Sequence, residues 1–181
     1  MKHVIDALSL RLMCEARNQR ARSAIMAVIH KDSLDRFDYI KAFYRSAAKE
    51  ILAEPNGWGI DPYEVDWTHL FTPIEAAIWH EIRHYGVVMY PQLPVGPYFV
   101  DFGNPHAKVA IECDGKLYHD PAKDEIRDHH LADRGWRVYR ISGRDCLTDH
   151  DEETGELSEA AKFAKYVRSE IERRLPQGAQ A

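Results

Sequence analysis

Apolar residues recur at helical spacing through the first third of the chain. Val4, Ile5, Leu8 and Leu12, then Ile25, Val28 and Ile29, fit the stripe of one or two helices over residues 4–29. Leu34, Phe37, Ile40, Phe43, Ala47 and Ile51 continue the pattern and predict a helix to about residue 53, capped by Asp32 or Ser33. The Pro/Gly-rich stretch "EPNGWGIDP" ends it. We therefore expect a helical N-terminal extension over residues 1–69 and a second domain over 70–181.

The second part changes period. Thr72, Pro73 and Glu75 have the order of an N-cap, a first-turn proline and a capping-box acid. They predict a helix that runs to about Tyr85 and stops at Gly86. Three short apolar runs follow, "VVMYPQL", "YFVDFG" and "KVAIECD". The linkers "PVGP" and "NPHA" between them are turn chemistry, so hairpins are expected. A polar helix from about Ala122 to Arg134 ends at Gly135, and "WRVYRIS" is a further strand. Leu157, Ala161, Ala164, Val167 and Ile171 lie on one face of a last amphipathic helix, from about Leu157 to Leu175. The order αβββαβα gives an α/β fold class.

Two of these strands carry acids where apolar residues dominate. Side chains alternate along a strand, so Asp101 shares a face with Phe99, and Glu112 and Asp114 share one with Ala110. If the two strands pair as a hairpin, Asp101 and Glu112 stand side by side. Carboxylates that close raise each other's pKa unless a cation joins them. Mg²⁺ suits such a pair, because it takes oxygen ligands from one or two carboxylates together with water and substrate phosphate. The ordinary alternative for any single acid is the wet face of a half-exposed antiparallel strand. Three acids at alternating positions on adjacent apolar strands point instead to a site. That site requires the carboxylates of 101 and 112 to lie together and not to be consumed by arginines.

Composition narrows the partners. The 181 residues are 45% hydrophobic and 29% charged, enough to build a core. A net charge of −5 argues against a general polyanion-coating protein but leaves room for an enzyme with a local basic patch. Cys14, Cys113 and Cys146 contain no CxxC pair, which argues against a zinc ribbon and suits thiols in a reducing, cytoplasmic setting. No apolar run approaches the ~20 residues of a membrane span, and the first residues do not read as a signal peptide.

The stretches "TPIEAAIWHEIRHYG", "PQLPVGPYFVDFGNPHAKVAIECDGKLYHD" and "DEIRDHHLADRGWRVYRIS" resemble the very-short-patch-repair-like endonucleases and a related uncharacterised domain family. The resemblance covers about residues 70 to 147. It is carried by Glu75, Trp79, Arg83, Gln92, Asp101 with Phe102, Glu112-x-Asp114-Gly115, His119, Asp124, Arg127-Asp128, Leu131 and Arg140, which keep the family's order and spacing.

The resemblance implies a restriction-endonuclease-like αβββαβ core of the PD-(D/E)xK kind, flanked by the helical extension and a C-terminal helix. It implies a Mg²⁺-dependent DNA endonuclease, with Mn²⁺ able to substitute, working in DNA repair, restriction or mobile-element processing. Asp101 resembles the metal-binding acid of the second core strand, and Glu112 the acid of the (D/E)xK half-motif. The third half-motif residue, normally lysine, is Asp114 here. Lys116 or His119 would replace it, His119 first, by positioning or deprotonating water. Glu75 resembles the acid of the first core helix, a position where a capping box equally wants Glu.

Trp79 reads as core. Arg83 reads as the partner of an acid or as a phosphate contact, and Gln92 as a residue that polarises a ligand water or as strand-edge polarity. Arg127 either points back at the carboxylates, fixed by Asp128, or belongs to a solvated, salt-bridged helix face. Arg17, Arg20, Arg22 and Lys31 form a basic segment, "EARNQRARS" and beyond, that either grips phosphates or is one solvated helix face. The N-terminal helices are alternatively a homodimer or partner surface. The competing reading of the whole chain is a non-catalytic nucleic-acid- or protein-binding module on a degenerate nuclease fold.

Overall fold

The computed structural model describes residues 33–55, 57–60, 70–115 and 121–175. The helices expected over residues 4–29, the basic segment, Lys116 and His119 lie outside the described residues. Helix α1 spans Ser33–Ala53 and α2 spans Pro73–His84. Strands β1 (Tyr90–Val95), β2 (Tyr98–Asn104) and β3 (Val109–Asp114) follow, then α3 (Pro121–Asp133) and β4 (Arg137–Ser142). A one-turn α4 (Gly143–Cys146) and α5 (Glu159–Arg174) complete the series.

From α2 to β4 the order is αβββαβ, as expected. The four strands form one sheet in chain order. β1 and β2 are antiparallel, β2 and β3 are antiparallel, and β3 and β4 are parallel. Antiparallel neighbours need only tight turns, whereas the parallel pair needs a crossover, which α3 supplies. This topology brings the C-terminal ends of β3 and β4 to one end of the sheet, where Glu112 pairs with Arg140 in register and Asp114 with Ser142.

Helix α2 starts where its capping box lies. Thr72 N donates to Glu75 Oε2 at 2.6 Å, and Glu75 N donates to Thr72 Oγ1 at 3.4 Å. It stops at Gly86, whose φ of 60° lies in the left-handed region. The first strand begins at Tyr90 rather than Val87. Val87 N donates back to Ile82 O at 3.0 Å, so the chain is still closing the helix there. The turn α4 has no periodic signal. The Ser142 hydroxyl starts it by accepting from Asp145 N at 3.1 Å.

Trp79 stacks on Phe102 with centroids 5.7 Å apart and planes 7° from parallel. Ile78, Ile82, Val100, Val109, Ile111, Leu131, Val167 and Ile171 are buried around this pair. Ile40, Tyr44, Ala47 and Ile51 of α1 belong to the same hydrophobic cluster. The buried stripe of α1 therefore passes through Tyr44, and Phe43 is only half-buried beside it. The spacing 40, 44, 47, 51 keeps one helix face better than the spacing through 43. Phe37 reaches the sheet at its rim, 4.9 Å from the Phe99 ring. Among the described residues no helix is long and apolar enough to cross a membrane.

Candidate active site

The β2–β3 ladder runs from Asn104↔Val109 to Phe102↔Ile111. One step further in the same register stand Asp101 and Glu112. There Asp101 substitutes its own side chain for the ladder, and its Oδ2 accepts from Cys113 N at 2.8 Å. The two strands thus part at the acids, held by one carboxylate bond to a backbone amide. Burial pushes the Asp101 carboxyl up to about 8, and the charges of Glu112 and Glu75 add to the effect. The Cys113 amide opposes the rise without cancelling it.

Glu75 brings the third acid from the N-terminus of α2. It is buried, with both carboxylate oxygens in use. Oε2 accepts from Thr72 N and, at 2.8 Å, from Thr72 Oγ1, while Oε1 accepts from Gln92 Nε2 at 3.0 Å. The capping-box acid is thus also the charge that acts on Asp101.

Gln92 reaches Glu75 from a strained backbone. Its φ is 49°, in the left-handed region that a residue with a Cβ enters at some cost. The β1–β2 ladder pairs Pro91 with Phe102 and Leu93 with Val100, and skips the Gln92–Asp101 position between them. The carbonyl just before the strained residue, Pro91 O, accepts a hydrogen bond from the buried Tyr44 hydroxyl. Strain therefore sits where the sheet meets the acid cluster, with α1 fixing it from outside.

Glu112 turns toward α3. Arg127 Nη2 donates to Glu112 Oε1 and also to Phe99 O, the latter at 2.9 Å. Burial still wins at Glu112 and lifts it to about 7, although Arg127 pulls the other way. Arg140 also lowers it and Asp114 raises it. Asp114 is half-buried, with Oδ1 4.0 Å from Arg140 Nε.

Arg127 does point back at the carboxylates, but Asp128 does not fix it. Asp128 pairs with Arg140 of β4. Adjacent helical positions face apart, so Asp128 cannot share the direction of Arg127 and meets the neighbouring strand instead.

The structure thus gathers Asp101, Glu112, Glu75, Asp114, Gln92 and Arg127 at one end of the sheet. Arg83 is not among them. It is exposed in the last turn of α2, eight residues or about 12 Å along the axis from Glu75. Trp79 is core, 1% exposed. Sequence reasoning missed the Tyr44 hydroxyl and the Cys113 amide. The first was legible as a phenol on the buried stripe of α1. The second carries no sequence signal, because any residue supplies an amide. Cys113 also hydrogen-bonds Cys146, which together with burial pushes its thiol above the usual range.

Among the described residues no three His, Cys, Asp or Glu side chains form a ready-made metal cage. The donor chemistry nevertheless suits a hard divalent cation. Carboxylates pushed toward the protonated form by burial and by neighbouring acids are stabilised as anions by a positive ion, and Mg²⁺ needs only one or two of them.

A model of the family described as REase_MTES_1575, a restriction endonuclease-like family, matches residues 74–161. Among solved structures, the homing endonuclease I-Bth0305I catalytic domain aligns at 16% identity with a TM-score of 0.45, over 59% of this chain and 100% of that one. No curated protein matches. The αβββαβ order and the mixed sheet are consistent with a restriction-endonuclease-like core, and the family match supports nuclease chemistry in general.

Proposed function

We propose that the chain is a metal-dependent DNA endonuclease that hydrolyses a phosphodiester with an activated water, in DNA repair, restriction or mobile-element processing. The catalytic domain is proposed to span residues 70–181, with α1 docked on its first strand. One observation carries the reading. Asp101 sits where β2 and β3 part, with its carboxyl lifted to about 8 by burial and by the charges of Glu112 and Glu75. Ionisable groups displaced this way beside other acids cluster at functional sites.

Asp101 and Glu112 are the residues that would hold Mg²⁺ or Mn²⁺, which when bound lowers the pKa of a water and offsets charge on the phosphate. Glu75 acts through Asp101, keeping negative charge beside it while Thr72 and Gln92 hold Glu75 still. Arg127 supplies the positive charge that a phosphate beside Glu112 would meet, and its bond to Phe99 O fixes where that charge lies. Asp114 stands in the position normally held by lysine. His119 is proposed to steer the proton of the attacking water, with Lys116 as its substitute. The test is cleavage of plasmid, single-stranded, branched and mismatched DNA with Mg²⁺ or Mn²⁺. Asp101→Asn and Glu112→Gln should each abolish cleavage by the folded protein, and activity retained in both would remove the proposal.

The ion pair between Arg127 and Glu112 favours a second reading, a non-catalytic binding module on the same fold. An arginine already bonded to the half-motif acid competes with a cation for it. Calorimetric titration with Mn²⁺ separates the two. A catalytic site gives binding that Asp101→Asn removes, and a module without a metal site gives no such binding.

A further inference from the structure

We infer that α1 forms one wall of the nucleic-acid path, where Lys41 and Arg45 contact strand phosphates beside an aromatic platform of Phe37 and Phe99. The inference rests on the nuclease reading and extends it to a helix outside the matched span of residues 74–161.

Phe37, Lys41 and Arg45 are spaced i, i+4 and i+8, so they line one side of α1 next to its buried stripe. Lys41 Nζ lies 5.3 Å from the centre of the Phe99 ring, and the Phe37 ring packs on the same Phe99. Phe99 shares a face of β2 with Asp101, two residues on. Its carbonyl is bonded by Arg127, which in turn bonds Glu112. The aromatic platform and the acid cluster are therefore consecutive stations on one strand.

Beyond Lys41 the same side of α1 borders an open groove of about 350 Å³, lined by Lys41, Arg45, Leu52, Leu93, Pro94 and Pro105 among others. The two charged side chains lining it, Lys41 and Arg45, are both cationic. Among the described residues neither Lys41 nor Arg45 is paired with a carboxylate, whereas Arg127, Arg140, Arg168 and Arg173 all are. In a chain of net charge −5, two uncompensated cations on an apolar, aromatic-edged groove complement a polyanion with flat bases. That combination is how single strands are tracked, with cations on the backbone and rings against the bases.

The test measures DNA affinity by fluorescence anisotropy in a chelator, which prevents cleavage, across a salt series. Wild-type full-length chain is compared with the Lys41→Ala/Arg45→Ala double variant and with Phe37→Leu, on single-stranded and duplex oligonucleotides. Losing two phosphate contacts should flatten the slope of log affinity against log salt by about 1.4 to 1.8. Phe37→Leu should weaken single-strand binding several-fold with its slope unchanged. Circular dichroism confirms that the variants fold, and Lys41→Arg/Arg45→Lys, which keeps both charges, should restore the slope. If wild type binds and cuts DNA but the double variant keeps affinity and slope, this inference is overturned while the nuclease reading stands. If wild type neither binds nor cuts any substrate, the nuclease reading itself fails and takes this inference with it.

Discussion

Arg127 and Glu112 form an ion pair that joins α3 to the end of β3, with the acid buried and the arginine about a quarter exposed. The guanidinium is a main influence holding Glu112 down against burial, which has already lifted it to about 7. Arg127→Ala should therefore drive Glu112 further toward the neutral acid. The protein should lose about 1 to 3 kcal/mol of stability, less than for a fully buried pair because Arg127 is partly in water. Any cleavage should need a higher pH. A pH–rate profile whose acidic limb moves up in the variant supports this, and an unmoved limb contradicts it.

The pH dependence of the metal-free protein follows from the same group of acids. Asp101 moves from an ordinary 3.8 to about 8 on folding, and Glu112 from 4.5 to about 7. Raised carboxyl pKa values mean that the folded state holds more protons than the unfolded one across that window. The resulting stabilisation is complete below about pH 4 and is lost as pH rises through 7 to 8. Thermal unfolding in a chelator should show this contribution falling from pH 5 to pH 8, with a shallower fall in Asp101→Asn. Added Mn²⁺ should raise the midpoint more at pH 8 than at pH 6, because protons compete for the same oxygens. A cation effect independent of pH would count against these ligands.

Gln92 separates strain from hydrogen bonding. Its φ of 49° disfavours any side chain, while its amide holds Glu75. Gln92→Ala keeps the strain and loses the bond, whereas Gln92→Gly loses both. Alanine should be the less stable of the two by about 1 kcal/mol. Both should lower cleavage equally, because both free Glu75 Oε1 while Thr72 still holds Oε2. Urea unfolding and rates for the pair give the answer, and a glycine variant no more stable than alanine would show that the backbone is not strained there.

Tyr44→Phe removes one hydroxyl and leaves the ring. The Pro91 carbonyl then loses its partner from α1, at a cost of about 1 to 3 kcal/mol if water cannot replace it. Urea midpoints should shift accordingly with the slope unchanged, and a shift within error would mean that the bond contributes nothing net.

Much of the frame was legible because periodicity and capping act locally. The capping box at Thr72 and Glu75, the strand runs and the α5 stripe each follow from a few neighbouring residues. The acids were legible for the opposite reason: Asp101 and Glu112 interrupt runs that are otherwise apolar. What stayed hidden depends on contacts distant in sequence. Arg140 meets Asp128 only because β4 runs parallel to β3 with α3 as the crossover. Tyr44 meets Pro91 across 47 positions. The left-handed backbone at Gln92 shows no glycine or asparagine to announce it, because its side chain is needed for Glu75.

β1 is the outermost strand of the sheet, with prolines at 91 and 94 and α1 leaning on it. A proline offers no amide to a foreign chain, and the tyrosine hydroxyl occupies an acceptor that such a chain would seek. A shortened version that starts after α1 would bare this rim together with Leu93. Such a fragment should be prone to stick to its own kind, edge against edge, before any question of enzymology arises.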